Sequence, residues 1–224
     1  NITTDFTSSS NIFTNIGLNN VAQTATTTLA SARLTETATA TGCNVVIGDN
    51  VENIPAYLFY CTDTTTGANG ITSVTIGNNV TTIGESAFKN CSGLTAIHVP
   101  ATLTTSNSGA FEGCTSLSKV YITSLEAWLN IDFAYNVENG NFYSNPLANV
   151  ENGLLYVNNE LISEVTIPAS VTQIKDLTFA YVSNIAEVEF HDNITSIGNG
   201  AFAYCIGLNG NLNLPTNLTT IGIS

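Results

Sequence analysis

The stretch Val74–Pro100 reads VTIGNNVTTIGESAFKNCSGLTAIHVP, and its apolar residues return at a fixed interval. Ile71, Val74, Ile76, Val80, Ile83, Ala87, Phe88 and Cys91 are followed 23 residues later by Leu94, Ile97, Val99, Leu103, Ser106, Ala110, Phe111 and Cys114. Only the pair Ile83 and Ser106 loses its apolar character. The same template fits Ile162, Val165, Ile167, Val171, Ile174, Thr178, Phe179 and Val182, and 23 residues on Ile185, Val188, Phe190, Ile194, Ile197, Ala201, Phe202 and Cys205. Looser copies run from Val45 to Cys61 and from Leu208 to Ile221, and another starts at Leu117, Val120 and Ile122 before it is interrupted. A period of this length is the signature of stacked repeats.

The spacing within one unit predicts its parts. Val74-Thr75-Ile76 alternates apolar and polar, which makes a short strand with Val74 and Ile76 inward. Gly77-Asn78-Asn79 is turn chemistry. Ala87, Phe88 and Cys91 stand at helical spacing and predict a short helical turn on the opposite side. One unit cannot close a core, but stacked units can. Each strand pairs with the next at about 4.8 Å, and each Phe rests on the Phe of the neighbouring coil.

Two stretches, VTIGNNVTTIGESAFKNCSGLTAIHVP and VTIPASVTQIKDLTFAYVSNIAEVEF, resemble the BspA-type leucine-rich repeats of bacterial and protozoan surface proteins. The interruption fits too, since SLEAWLNIDF, SNPL and LLYVNNELISEVTIP are similar to an insertion common in that family. The fold expected is a β-rich, right-handed leucine-rich repeat solenoid of about seven coils, with short strands and short helical or irregular turns. The resemblance implies a secreted or cell-surface recognition protein, often adhesive, without enzymatic activity of its own. Two domains follow: a Thr-rich arm or cap over residues 1–42, and a solenoid over 43–224 with an insertion at 123–160.

Composition narrows the partners. Charged residues are only 9% of the 224, against roughly 25% in an average soluble protein, and 33 Thr and 29 Asn supply the polarity instead. A net charge of −13 repels nucleic acid and anionic lipid. No apolar run approaches the roughly 20 residues that span a bilayer. With no Met in the chain, an upstream segment such as a secretory signal is expected to have been removed.

Tests for chemistry return nothing. Cys61, Cys91, Cys114 and Cys205 share one repeat position that also accepts Val182, so they are expected to pack rather than bridge. Cys43 lies outside the template and could pair with Cys61. No metal-ligand spacing or acidic calcium loop occurs, so no metal and no cofactor are expected. His98 and His191 stand in separate copies, each without a nucleophile in reach, so no catalytic residue is assigned. Sequons stand at Asn1, Asn79, Asn90, Asn193 and Asn217.

What remains is the outward side of the strands. If Val74 and Ile76 point in, then Ser73 and Thr75, Ala96 and His98, Lys119 and Tyr121, Glu164 and Thr166, Glu187 and Glu189, and Asn211 and Asn213 point out in two parallel rows. The insertion adds Trp128, Phe133, Tyr135, Phe142 and Tyr143, as a protruding anchor or as filling for the wider space. The partner-binding residues expected are Thr75, His98, Lys119, Tyr121, Trp128, Glu164, Thr166, Glu187 and Glu189. They would hold a host or matrix protein, or a glycan, outside the cell. The alternative is an extracellular filament, in which the arm of one copy lies on the open solenoid end of another.

Overall fold

The structure, a computed structural model, describes residues 2–4, 43–61, 70–135, 143–209 and 212–223. Its elements alternate between a longer and a two-residue strand. In chain order they begin with β1 (Ile2–Thr4), β2 (Cys43–Ile47), β3 (Asn53–Ile54), β4 (Ile71–Thr75), β5 (Thr82–Ile83), β6 (Ala96–Val99), β7 (Thr105–Ser106) and β8 (Lys119–Ile122). The helix α1 (Leu125–Leu129) and the strands β9 (Asp132–Phe133), β10 (Leu154–Val157) and β11 (Glu160–Leu161) make up the insertion. β12 (Glu164–Thr166), β13 (Gln173–Ile174), β14 (Glu187–Glu189), β15 (Ser196–Ile197) and β16 (Thr220–Ile221) complete the order. The longer strands β1, β2, β4, β6, β8 and β10 pair in parallel, as do the short strands β3, β5, β7 and β9. Parallel pairing at an interval of one coil is what a solenoid requires.

Register follows the repeat. Val74 pairs with Ile97 and Ile97 with Val120, and all three are buried. Phe59, Phe88 and Phe111 stack at 5.2 and 5.3 Å between ring centres, and Phe179 lies on Phe202 at 5.3 Å. The spacing of the rings is close to that of the strands, so one residue type at one repeat position fills the core of coil after coil. The Cys position beside it is buried at Cys61, Cys91 and Cys114 and half-buried at Cys205. Cys91 donates its thiol hydrogen to the Phe59 carbonyl at 3.2 Å, Cys114 to Phe88 at 3.1 Å and Cys205 to Phe179 at 2.7 Å. Among the described residues Cys61, Cys91, Cys114 and Cys205 form no disulfide with one another, and the Cys43 side chain lies outside the described residues.

The uncharged polar residues tie one coil to the next. Thr81 donates to the Glu52 carbonyl at 3.2 Å, Thr104 to Thr81 at 3.0 Å, Thr195 to Thr172 at 3.3 Å and Thr219 to Thr195 at 3.0 Å. The sequon residues Asn79 and Asn217 reach back to the carbonyls of Asp49 and Asp192 at 2.6 and 2.8 Å. Within these sequons, then, both Asn and Thr are hydrogen-bonded clamps between coils.

The helical turns expected around the Phe residues are irregular turns instead. Each carries two left-handed residues four apart: Ser86 and Asn90, Gly109 and Gly113, Leu177 and Tyr181, Gly200 and Tyr204, with φ between +52° and +75°. A left-handed residue every four cannot propagate a right-handed helix. Among the described residues the one helix is α1, capped by Ser124, whose hydroxyl accepts from the Ala127 N–H at 3.2 Å.

The insertion divides the stack. Asn158 and Asn159, at φ +52° and +67°, turn β10 into the antiparallel β11, which is the two-residue hairpin that paired Asn residues permit. Beyond it the backbone ladder does not resume on β10. The Asn184 side-chain amide accepts from Leu155 N–H at 2.9 Å and donates to the Leu155 carbonyl at 3.1 Å. A second side-chain amide, Asn145, donates to the Leu177 carbonyl at 2.7 Å. On the short-strand side, the Lys175 ammonium bonds the Asn130 carbonyl at 2.7 Å and the Asp132 carboxylate at 2.6 Å. Of the arm, Ile2–Thr4 pair with β2, and the rest of residues 1–42 lies outside the described residues.

Candidate recognition face

A residue opposite another in the same sheet projects from the same side, so register places the outward residues without further assumption. Thr75 pairs with His98, His98 with Tyr121, Tyr121 with Tyr156, and Tyr156 with Leu161. The second row runs Ser73, Ala96, Lys119, Leu154. These are the rows expected from the sequence as far as Lys119 and Tyr121, lengthened by Leu154, Tyr156 and Leu161 of the hairpin.

The first row is a stack of rings. His98 lies on Tyr121 at 4.5 Å with 9° between their planes, and Tyr121 lies on Tyr156 at 4.6 Å with 22°. Each ring covers its neighbour's face, so the row offers solvent its edges and hydroxyl groups. All three are half-buried, and Leu161 closes the stripe at 52% exposure. Burial pushes the His98 imidazole below its ordinary pKa, which keeps it neutral at pH 7. Lys119 stands exposed beside the stack. Lys89 and Lys175 sit in ion pairs at 2.8 and 2.6 Å, and among the described residues Lys119 has none.

Past the insertion the face is acidic. Glu164 pairs with Glu187 and Thr166 with Glu189, and all four are exposed. Thr166 donates its hydroxyl hydrogen to a Glu189 carboxylate oxygen at 3.1 Å. Asn213 is exposed, and Asn211 lies outside the described residues.

One expected contact residue is corrected. Trp128 is 1% exposed, tilted against Phe133 at 5.1 Å, and its indole N–H donates to the Thr178 carbonyl at 2.9 Å. It fills the widened core at the insertion and joins the two halves of the stack, so no partner can reach it. Tyr156 and Leu161, in contrast, were missed. The in-out alternation of Leu154-Leu155-Tyr156-Val157 carried the signal, since the buried Leu155 fixes Tyr156 outward.

His191 is occupied by the preceding coil and by its own turn. Its Nε2 lies 2.9 Å from the Pro168 carbonyl, and its Nδ1 accepts the Asn193 N–H at 3.2 Å. Among the described residues no group of three or more His, Cys, Asp or Glu could hold a metal ion, and no helix is long and apolar enough to cross a membrane.

The model of the BspA type leucine-rich repeat region matches residues 67–153 and 132–224, in six copies. No curated protein matches the chain. Solved structures similar to it include a leucine-rich repeat protein of T. pallidum, 19% identical over 76% of this chain and 79% of that one, with a TM-score of 0.43. Another is the pneumococcal vaccine antigen PcpA, 16% identical over 78% of this chain and 51% of that one, at 0.38. A leucine-rich repeat protein of Eubacterium ventriosum is 19% identical over 80% of this chain and 55% of that one, also at 0.38. The chain thus spans about half the length of the last two.

Proposed function

Because this chain belongs to the BspA type leucine-rich repeat family, whose repeats are in general protein-binding modules rather than enzymes, we propose that it is an extracellular recognition module. It holds a host or matrix protein along the outward side of its longer strands. The observation that carries the reading is the in-register stripe Thr75, His98, Tyr121, Tyr156, Leu161 with Lys119 beside it. These side chains stay out of the buried core, and Tyr is a residue type enriched at binding hot spots. A net charge of −13 disfavours nucleic acid and anionic membrane as partners.

The test is capture of a partner on immobilised protein, its identification by mass spectrometry, and titration against variants. Tyr121→Ala together with Lys119→Ala is expected to weaken the captured partner at least about tenfold, as loss of a hot-spot residue does, with a fall of only a few degrees in melting temperature from the lost ring contacts. Unchanged affinity would move the site off this face.

A further inference from the structure

The outward face has a break in its sheet, and the break has open edges. Among the described residues the seven-stranded sheet ends at β11, and β12 pairs with β14 alone. Ile162 N–H donates back to Leu155, and Glu160 pairs with Val157, so the N–H and C=O of Leu161 between them turn away from the hairpin. On β12, Ser163 and Ile167 bond toward β14, which turns the backbone groups of Glu164 and Thr166 the other way, toward the break. In regular coils the carbonyl at this position is used: His98 accepts from Ile76 N–H and Glu189 from Ile167 N–H, each at 3.0 Å. Thr166 is their equivalent in the first coil past the break. Among the described residues its carbonyl, like the outward groups of Leu161 and Glu164, has no backbone partner. The edge of β10 itself is closed by the Asn184 amide, so β12 cannot complete the ladder there.

We propose that an extended segment of a protein partner adds at this break as a strand, pairing its backbone with Glu164–Thr166 of β12. Strand addition takes its affinity from main-chain hydrogen bonds and its selectivity from alternate side chains. The alternate side chains fitted here are Lys or Arg, because the exposed carboxylates of Glu160 and Glu164 stand on the two strands at the break and those of Glu187 and Glu189 lie one strand behind β12. Asp132 and Glu112 have taken Lys175 and Lys89, and none of the four glutamates holds an ion pair among the described residues. The aromatic stripe, which ends on Leu161 at the same break, gives the rest of the partner its footing. This inference rests on the proposed recognition face and names the chemistry of the segment that the face receives.

The experiment uses a fluorescein-labelled decapeptide of alternating Lys and Val, added to the whole chain at physiological salt. Two control peptides of the same charge carry N-methyl groups on the Val or on the Lys amides. Strand addition is expected to raise the anisotropy with the parent peptide and to lose at least about tenfold in affinity with one or both controls. Hydrogen exchange of the Thr166 amide should slow on binding, and Glu164→Lys with Glu187→Lys should weaken the complex at least about tenfold. Equal binding of all three peptides would mean attraction by charge alone and would overturn the proposal, as would no binding of the parent. If the captured partner still depends on Tyr121 while the peptide fails, strand addition falls and the recognition face stands. If Tyr121 proves irrelevant too, both fall.

Discussion

The strand face before the insertion and the strand face after it are built on one template and present opposite chemistry. Val74, Ile97 and Val120 on one side and Val165 and Val188 on the other occupy the same inward position and are all buried. Outward, the first half carries Thr75, His98, Tyr121 and Tyr156, and the second carries Glu164, Thr166, Glu187 and Glu189. The repeat therefore constrains what points in and leaves free what points out. That freedom is where a solenoid acquires a partner, and a comparison of the halves separates stability from recognition.

The hardest way to break the comparison is through the core that both halves share. Phe88 stacks between Phe59 and Phe111, and Phe179 on Phe202. Phe→Ala in a packed core costs about 3–5 kcal/mol. Phe88→Ala and Phe179→Ala should each lose that much in urea unfolding, despite the unlike surfaces above them. A cost confined to one of the two would mean that the halves do not share one packing rule.

The next effect sharpens the boundary between the halves. Asn184 takes both backbone groups of Leu155 and donates as well to the Ile162 carbonyl. Asn184→Leu leaves the Leu155 N–H and the Ile162 carbonyl without partners, while the Leu155 carbonyl keeps the Ile162 N–H, and each orphaned group costs about 1–3 kcal/mol when it is buried. Because the amide bridges the halves, the variant should also uncouple them. Two unfolding steps are expected where the parent has one, with the coils after the insertion exchanging their amides first. A single step at unchanged midpoint would place the coupling in the Trp128, Asn145 and Lys175 contacts instead.

These contacts mark where sequence reading ends. The Phe and Cys periods were legible because a solenoid core must repeat, and Asn158-Asn159 was legible because few residue pairs accept two successive positive φ values. The spacing of Ala87, Phe88 and Cys91 points to a helical turn because the left-handed residues of that copy are Ser86 and Asn90, and glycine takes these positions only in other copies, at Gly109, Gly113 and Gly200. Trp128 could be read as a protruding anchor or as filling because no periodicity covers the insertion; only the fold brings its N–H to Thr178, fifty residues away. Asn184 carries no signal at all, since one Asn among 29 looks like any other until Leu155 is beside it.

The smallest effect tests whether the stacked rings act as one unit. His98 is half-buried under its contact with Tyr121, and burial holds its imidazole below the ordinary value of about 6.5. The sign follows from linkage. The unfolded chain takes up its proton at a higher pH than the folded one, so the contribution of His98 is intact above about pH 6.5 and is lost as pH falls through the lower, folded value. The second half of the face has carboxylates and no imidazole in its rows, so over this window the change belongs to the first half alone. NMR titration should give His98 a midpoint below 6.5, and Tyr121→Ala, which uncovers the imidazole, should move it back up. His191 serves as the internal control, because its partners are Pro168 and Asn193 and it does not touch the stack. If the His98 midpoint stays where it was in the Tyr121 variant, the desolvation comes from the strand beneath and not from the ring beside it, and the stripe is then a row of independent side chains.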